Sequence, residues 1–211
     1  MWLSHCARAE SSERFRRRVL ASYTGIAATA QRYSLGEHGK PALAHASAPA
    51  FNISHSGDWL ACVVAEHDAA ALGVDMEVVS SRRDIMTLAR RFYAPAEVAR
   101  LEALRGQQRL DHFYDLWTLK EAAVKARGEA LAPSLNKVRF DVVCPTGDVG
   151  TIVPGEPRDT GPHYYLLEPV NALRLAICCR GMREQRPRLR VYQESTPGEG
   201  GEVFPILRAQ S

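Results

Sequence analysis

The stretch LDHFYDLWTLKEAAVKARG, Leu110 to Gly128, has little choice but to be a helix. It is rich in Leu, Ala, Lys and Glu, which lose little side-chain freedom in that conformation. Gly128 stands where a C-terminal stop belongs. Side chains four apart on a helix are neighbours, so Trp117, Glu121 and Lys125 fall on one line. Taken alone, Glu121 and Lys125 read as an ordinary solvent-facing pair with Trp117 in the core. The functional alternative makes Glu121 a metal ligand and sets Lys120 and Lys125 against phosphate oxygens.

The rest of the chain must supply partners for that helix. SSERFRRRVLASYTG reads as another helix, capped by Ser11 or Ser12 and stopped at Gly25. SLGEHGKPAL is turn-rich and reads as a link. AFNIS and WLACVVAE predict a hairpin, and AALGVDMEVV a further strand. RRDIMTLARRFYAPAEVARLEALRG reads as helical material broken before Pro95, where a new helix starts. KVRFDVV, GTIV, HYYLLEPV and LRLAICC are strand-like. From about Gly181 the sequence turns to Arg, Gly, Pro and Glu without period, as a disordered tail would. Helices and mostly antiparallel strands in two clusters predict an α+β fold of two small subdomains, divided near residue 79.

Composition narrows the function. The 211 residues suffice for one large domain or two small ones sharing a core. A net charge of +3 is too weak to argue for nucleic acid, and suits an anionic substrate or an acidic protein partner. The basic run Arg14 to Arg18 reads as a solvated helix face. Five cysteines with no C-x-x-C spacing fit a reduced, cytoplasmic protein. No signal peptide and no membrane span are expected.

Two further stretches carry chemistry. In GVDMEVV, Asp75 and Glu77 lie two apart and share one face of a strand. Two such carboxylates can share a cation, and an oxygen-only set suits Mg²⁺ or Mn²⁺. The plain alternative is a half-exposed strand with a polar outer face. In FNISHSGDW, the apolar strands close on Ser54-His55-Ser56-Gly57-Asp58, more polar groups than a hairpin turn needs. Lys40 in HGKP reads by default as a loop lysine, and Glu97 in YAPAEV as an acid in a first helical turn.

Taken in order, GKP, FNISHSG, LGVDME, RRFYAPAE and WTLKEAAVKARG resemble the 4′-phosphopantetheinyl transferases. The closest likeness is to the monomeric two-subdomain type that activates carrier proteins of peptide and polyketide synthases. The resemblance is close from Lys40 to Gly128 and looser outside. It implies two similar subdomains related by a pseudo-twofold, each a mostly antiparallel sheet packed with helices. Residues 1–79 would form the coenzyme A-binding half, with a short start since only 39 residues precede Lys40. Residues 80–192 would carry the helix with the metal glutamate and lysine, and 193–211 a tail.

The resemblance also implies roles. Asp75, Glu77 and Glu121 would hold Mg²⁺, with Mn²⁺ a possible substitute. Ser54 and His55 would contact coenzyme A, His55 near the 3′-phosphate, where a phosphate neighbour would favour its charged form. Lys40 would lie near the adenosine end, with Lys125, and Lys120 beside it, near the pyrophosphate. Catalysis would fall to Glu121, Lys125 and Asp75. The acceptor would be a serine of an acyl or peptidyl carrier protein, acidic around that serine. Against such a partner, Arg82, Arg83, Arg90, Arg91 and Arg100, with Phe92 and Tyr93, read as part of a docking face; the plain alternative is arginines that only solubilise a helix. The competing reading is a non-catalytic relative that binds coenzyme A or a carrier protein. Retention of all three carboxylates favours the enzyme.

Overall fold

The computed structural model describes residues 1–5, 10–65, 71–143, 150–155, 161–181, 187–196, 199–203 and 206–211; Cys6 and Cys144 lie outside them. In chain order come β1 (Trp2–His5), α1 (Ser12–Thr24), β2 (Tyr33–Leu35), β3 (Pro41–Leu43), β4 (Phe51–Ser56), β5 (Trp59–Val64) and β6 (Ala71–Val78). Then follow α2 (Ile85–Phe92), α3 (Pro95–Ala103), α4 (Gly106–Arg127), α5 (Leu131–Ser134), β7 (Phe140–Val143), β8 (Gly150–Pro154), β9 (His163–Glu168) and β10 (Leu173–Arg180). The chain closes with β11 (Val191–Thr196), β12 (Glu199–Val203) and β13 (Ile206–Gln210). The fold is α+β.

The helix signals act where the sequence puts them. Ser11 accepts from the Arg14 amide and caps α1, and Gly25 ends it at φ +68°. Pro95 opens α3, where its missing N–H costs nothing. Gly128 ends α4 at φ +70°.

Two sheets carry the fold, in the orders β12-β11-β1-β5-β4 and β6-β10-β9-β13-β8-β7. β2 and β3 pair separately, so the link around GKP is a small hairpin. The two sheets share a local pattern: a first strand, then its hairpin's last and penultimate strands (β1-β5-β4 and β6-β10-β9). Edge strands β4 and β6 face each other across a seam with side chains in place of a backbone ladder. Asn52 Oδ1 accepts from Val74 N at 2.8 Å; Ser54 Oγ donates to Asp75 Oδ1 at 3.1 Å and Ser56 Oγ to Glu77 Oε2 at 3.1 Å. A polar residue at every second position of β4 supplies that seam.

β6 is covered on both faces, unlike a half-exposed strand. Val74 and Met76 join Leu175 and Ile177 in one core. The Asp75 side lies under α4, which packs on β6 and β10 and forms a second core through Leu116, Leu119, Ala123, Ala176 and Cys178. Gly73 lets the two backbones meet: a Cβ there would stand 1.9 Å from Ala122 O.

The C-terminal stretch departs from its expectation as a disordered tail. β11 runs parallel to β1 in register Trp2 with Tyr192, and β13 lies between β9 and β8. Two ion-pair groups fasten it. Arg18 makes two hydrogen bonds to Glu194, at 2.6 and 2.7 Å. Arg208 reaches Asp115 at 2.9 Å and Glu168 at 3.1 Å. Buried Arg174 holds Asp115 at 3.1 Å and Asp111 at 2.7 Å, so α4 is tied to the sheet by charge as well as by packing. Burial raises the affinity of Asp115 for a proton, and Arg208 and Arg174 pull it back. Replacing Arg174 by Met should therefore cost about 2–3 kcal/mol, because it leaves buried Asp115 with Arg208 as its remaining ion-pair partner. Urea unfolding of the Arg174→Met variant reads this; a loss under about 1 kcal/mol would mean that Arg208 alone holds Asp115.

Candidate active site

The seam and α4 bring four of the expected residues into one cluster. β6 presents Asp75, which is 3% exposed; β4 presents Ser54; α4 presents Glu121 and Lys125 one turn apart. Lys125 Nζ sits among them, 2.6 Å from Asp75 Oδ1, 3.5 Å from Glu121 Oε2 and 3.4 Å from Ser54 Oγ. Glu77 stands next along the face, accepting from Ser56 and from Arg83 Nη1 at 3.2 Å. Arg83 was expected on the docking face, and here one guanidinium nitrogen is given to Glu77.

Electrostatics in this cluster follow from burial and crowding. Burial raises the affinity of Glu121 for a proton, and the negative charge of Asp75 raises it further, against the pull of Lys125. Burial works against the ammonium of Lys125, but Asp75 and Glu121 outweigh it and hold the charge. Asp75 Oδ2 is buried and has no hydrogen-bond partner. A buried carboxylate oxygen without a partner is costly and invites a cation. Among the described residues no group of three or more His, Cys, Asp and Glu is arranged to hold a metal ion. The donor chemistry still fits a hard cation: Asp75 and Glu121 face each other, and Glu77 shares their side of the seam.

Lys40 is not a solvated loop lysine. Its Nζ donates to Lys125 O at 2.7 Å, Leu72 O at 2.8 Å and Ala126 O at 3.3 Å. It thereby satisfies carbonyls at the negative end of α4, and burial disfavours its charge. Beside it opens a cavity of about 650 Å³ lined by Leu35, Lys40, Phe51, Leu72, Arg127 and Gly128. His55 is exposed, and strand alternation turns it away from Ser54 and Ser56. The hairpin turn itself is only Gly57-Asp58, with Gly57 at φ +57°; Ser54, His55 and Ser56 belong to β4.

Lys120 does not face this cluster, which corrects the expectation. It is fully buried and ion-paired to Glu97 at 2.8 Å, and it donates to the carbonyls of Leu135 and Val138. One residue is 100° of helix, so Lys120 turns into the core as Glu121 turns to β6. Tyr93 is corrected too: it is 5% exposed and donates its hydroxyl to Phe113 O, so it offers no surface to a partner. Cys62, Cys178 and Cys179 are buried free thiols, each pushed up to about 12 by burial, and so unreactive.

Three of the four cluster residues, Asp75, Glu121 and Lys125, lie in a stretch that matches a known family, and Ser54 lies before it. Residues 71–178 fit the model described as the 4′-phosphopantetheinyl transferase superfamily.

The chain belongs to this family.

Among curated transferases, Sfp of Bacillus subtilis is 34% identical over 148 residues, covering 70% of this chain and 62% of Sfp. HetI of a Nostoc species is 31% identical over 159 residues, covering 73% of this chain and 62% of HetI. AcpT of Salmonella typhimurium is 42% identical over 93 residues, covering 44% of this chain and 47% of AcpT. The chain thus spans about half to three fifths of the length of these 4′-phosphopantetheinyl transferases.

Of the family-implied positions, the structure gathers Ser54, Asp75, Glu121 and Lys125, with Glu77 and Lys40 adjoining. Sequence reasoning missed Asn52 and Gly73. The alternation N-x-S-x-S in β4 was a usable signal for Asn52. The close approach at Gly73 had none, because it needs the position of α4.

Proposed function

We propose that this chain transfers the phosphopantetheine arm of coenzyme A to a serine of an acyl or peptidyl carrier protein, releasing adenosine 3′,5′-bisphosphate. The observation that carries the reading is the cluster of Ser54, Asp75, Glu121 and Lys125 at the β4–β6 seam, close to the cavity at the end of α4. Asp75 and Glu121 would hold Mg²⁺, with Glu77 joining once it exchanges Arg83. When bound, the metal would supply positive charge against the pyrophosphate.

The chain's own side chains do the rest. Lys125 offers a fixed ammonium to the phosphates of the substrate. Glu121, directly or through a water it holds, takes the serine proton. The serine oxygen bonds to the phosphorus that bears the pantetheine arm, and the bond to the bisphosphate breaks. Ser54 would meet coenzyme A at the seam, exposed His55 on the opposite face of β4 would meet its 3′-phosphate from outside the seam, and the cavity beside Lys40 suits its adenosine end. Lys40 shapes that cavity and does not offer a free charge. Exposed Arg82, Arg90, Arg91 and Arg100, with half-buried Phe92, would meet an acidic carrier.

Two similar subdomains with a pseudo-twofold are part of this reading, supported by the strand pattern the two sheets share; because β6 starts the second sheet, that pattern favours a division before Ala71 over one at residue 79. So is a cytoplasmic monomer, which buried free thiols suit. Among the described residues no helix is long and apolar enough to cross a membrane.

Intact mass spectrometry of apo carrier proteins incubated with the chain, coenzyme A and Mg²⁺ tests the proposal. The expected result is a gain of one arm, lost with EDTA and lost on a carrier whose acceptor serine is replaced by Ala. Coenzyme A binding without any transfer would instead favour the non-catalytic relative.

A further inference from the structure

Helix α4 poses a problem that apolar packing does not solve. Its buried residues, from Phe113 through Ala126, lie on nearly every side of the helix. Burial on every side does not by itself favour one rotation about the axis over another. Yet the site needs one rotation only. A carboxylate carried roughly 5–6 Å from the axis moves about 2 Å when the helix turns by about 20°.

Polar contacts therefore help to select the rotation: Arg174 and Arg208 hold Asp115 on one side of α4, and a second buried contact lies beside Glu121. Lys120 Nζ is 2.8 Å from Glu97 Oε2, donates to Leu135 O at 3.2 Å and to Val138 O, and lies 5.0 Å from the centre of the Tyr93 ring. Glu97 is equally committed: Oε2 accepts from Ala94 N at 2.7 Å and Oε1 from Phe140 N at 3.0 Å. The pair thus ties α4 to the start of α3, to the turn after α5 and to β7. Each of those backbone groups has one position in the fold, so the ammonium has one place to go. Lys120 is 0% exposed and Glu97 5%, so neither can meet substrate.

We propose that Lys120 and Glu97 are positioning residues, which lock the rotation of α4 and so aim Glu121 at Asp75. Buried ion pairs contribute little net stability against apolar residues of the same shape, and some are retained for the single arrangement they enforce. The inference rests on the proposed transferase reading for its activity readout, and not for the other two.

The test is the double variant Glu97→Leu with Lys120→Met, which replaces the pair by apolar groups of similar size. Three quantities are read: the thermal midpoint, kcat with KM for coenzyme A, and Mn²⁺ affinity by water-proton relaxation. A pair that only stabilises predicts wild-type kcat and Mn²⁺ affinity in any variant that folds. The expected result is a cooperative unfolding transition, kcat down by about tenfold or more, KM for coenzyme A within about threefold, and Mn²⁺ affinity down by about tenfold. A folded double variant with kcat and Mn²⁺ affinity both within about twofold of wild type would overturn the inference.

If the double variant does not unfold cooperatively, Glu97→Gln decides. It keeps the shape and one acceptor while removing the charge. A fall of about threefold or more in kcat or Mn²⁺ affinity at unchanged midpoint supports positioning, and no change in either overturns it. A wild-type chain that binds Mn²⁺ but modifies no carrier would sink the proposed activity and leave the Mn²⁺ arm to decide. A wild-type chain that does neither would sink both.

Discussion

Gly73→Ala should be among the most damaging single-methyl changes this chain can suffer. The added Cβ would lie 1.9 Å from Ala122 O, 2.5 Å from Ala126 N and 3.0 Å from Ala122 C, all of them helix backbone. No rotamer relieves a clash between two backbones, so β6 and α4 must separate. Overpacking of this kind costs about 3 kcal/mol or more when the neighbour cannot give way. In a chain of this size that lowers the thermal midpoint by about 6–12 °C. The functional loss should exceed what stability explains. Residues 122–126 bracket Lys125 and follow Glu121, so a helix lifted by about 1 Å carries both away from Asp75, enough for a loss of about 10²-fold in rate. Carrier modification assayed well below the variant's own midpoint separates the two effects. Near-normal transfer by folded Gly73→Ala would mean that the site tolerates a looser helix.

Gly73 also marks where sequence reading stops. The long helix and its stop at Gly128 were legible because propensity and capping act within a few residues. The hairpin of β4 and β5 was legible from two apolar runs around a polar Gly-Asp turn, and Asp75 with Glu77 from the two-residue period of a strand. What β6 rests against was not legible: a strand covered on both faces and a half-exposed strand both alternate Val, Asp, Met and Glu. Lys120 and Lys125 likewise look alike in WTLKEAAVK, both a cation beside the key glutamate. Their fates separate only through Glu97, Leu135 and Val138, which the fold brings to one and not the other. The tail was the largest departure. VYQEST and EGGEV have little apolar content, and they become strands because β1 offers an edge and Arg18 a partner for Glu194. Strand formation depends on such neighbours more than on the residues themselves.

Asp75→Asn should show the opposite pattern to Gly73→Ala, a folded chain that has lost its chemistry. Asn has the same shape and can still accept from Lys125 and Ser54 through one oxygen. Removing the charge weakens the 2.6 Å contact with Lys125, but it also ends the repulsion of Glu121 and the burial of an oxygen that no partner satisfies. Those terms oppose each other, so the unfolding free energy in urea should stay within about 1 kcal/mol of wild type. Transfer depends on the charge itself, since a neutral amide neither attracts a divalent cation nor holds Lys125 as firmly against phosphate. Loss of one preorganised electrostatic group typically costs about 10²–10³-fold in rate. The proposed role predicts that kcat falls by that order while the midpoint barely moves. If stability falls with activity, Asp75 is mainly a strut for Lys125, and the cation would have to rest on Glu77 and Glu121. If neither falls, the acidic cluster is not where transfer takes place. Gly73 lies two residues before Asp75 on the same strand face, so the two variants probe one contact between β6 and α4. The first removes the closeness of that contact and the second its charge, and the proposed site needs both.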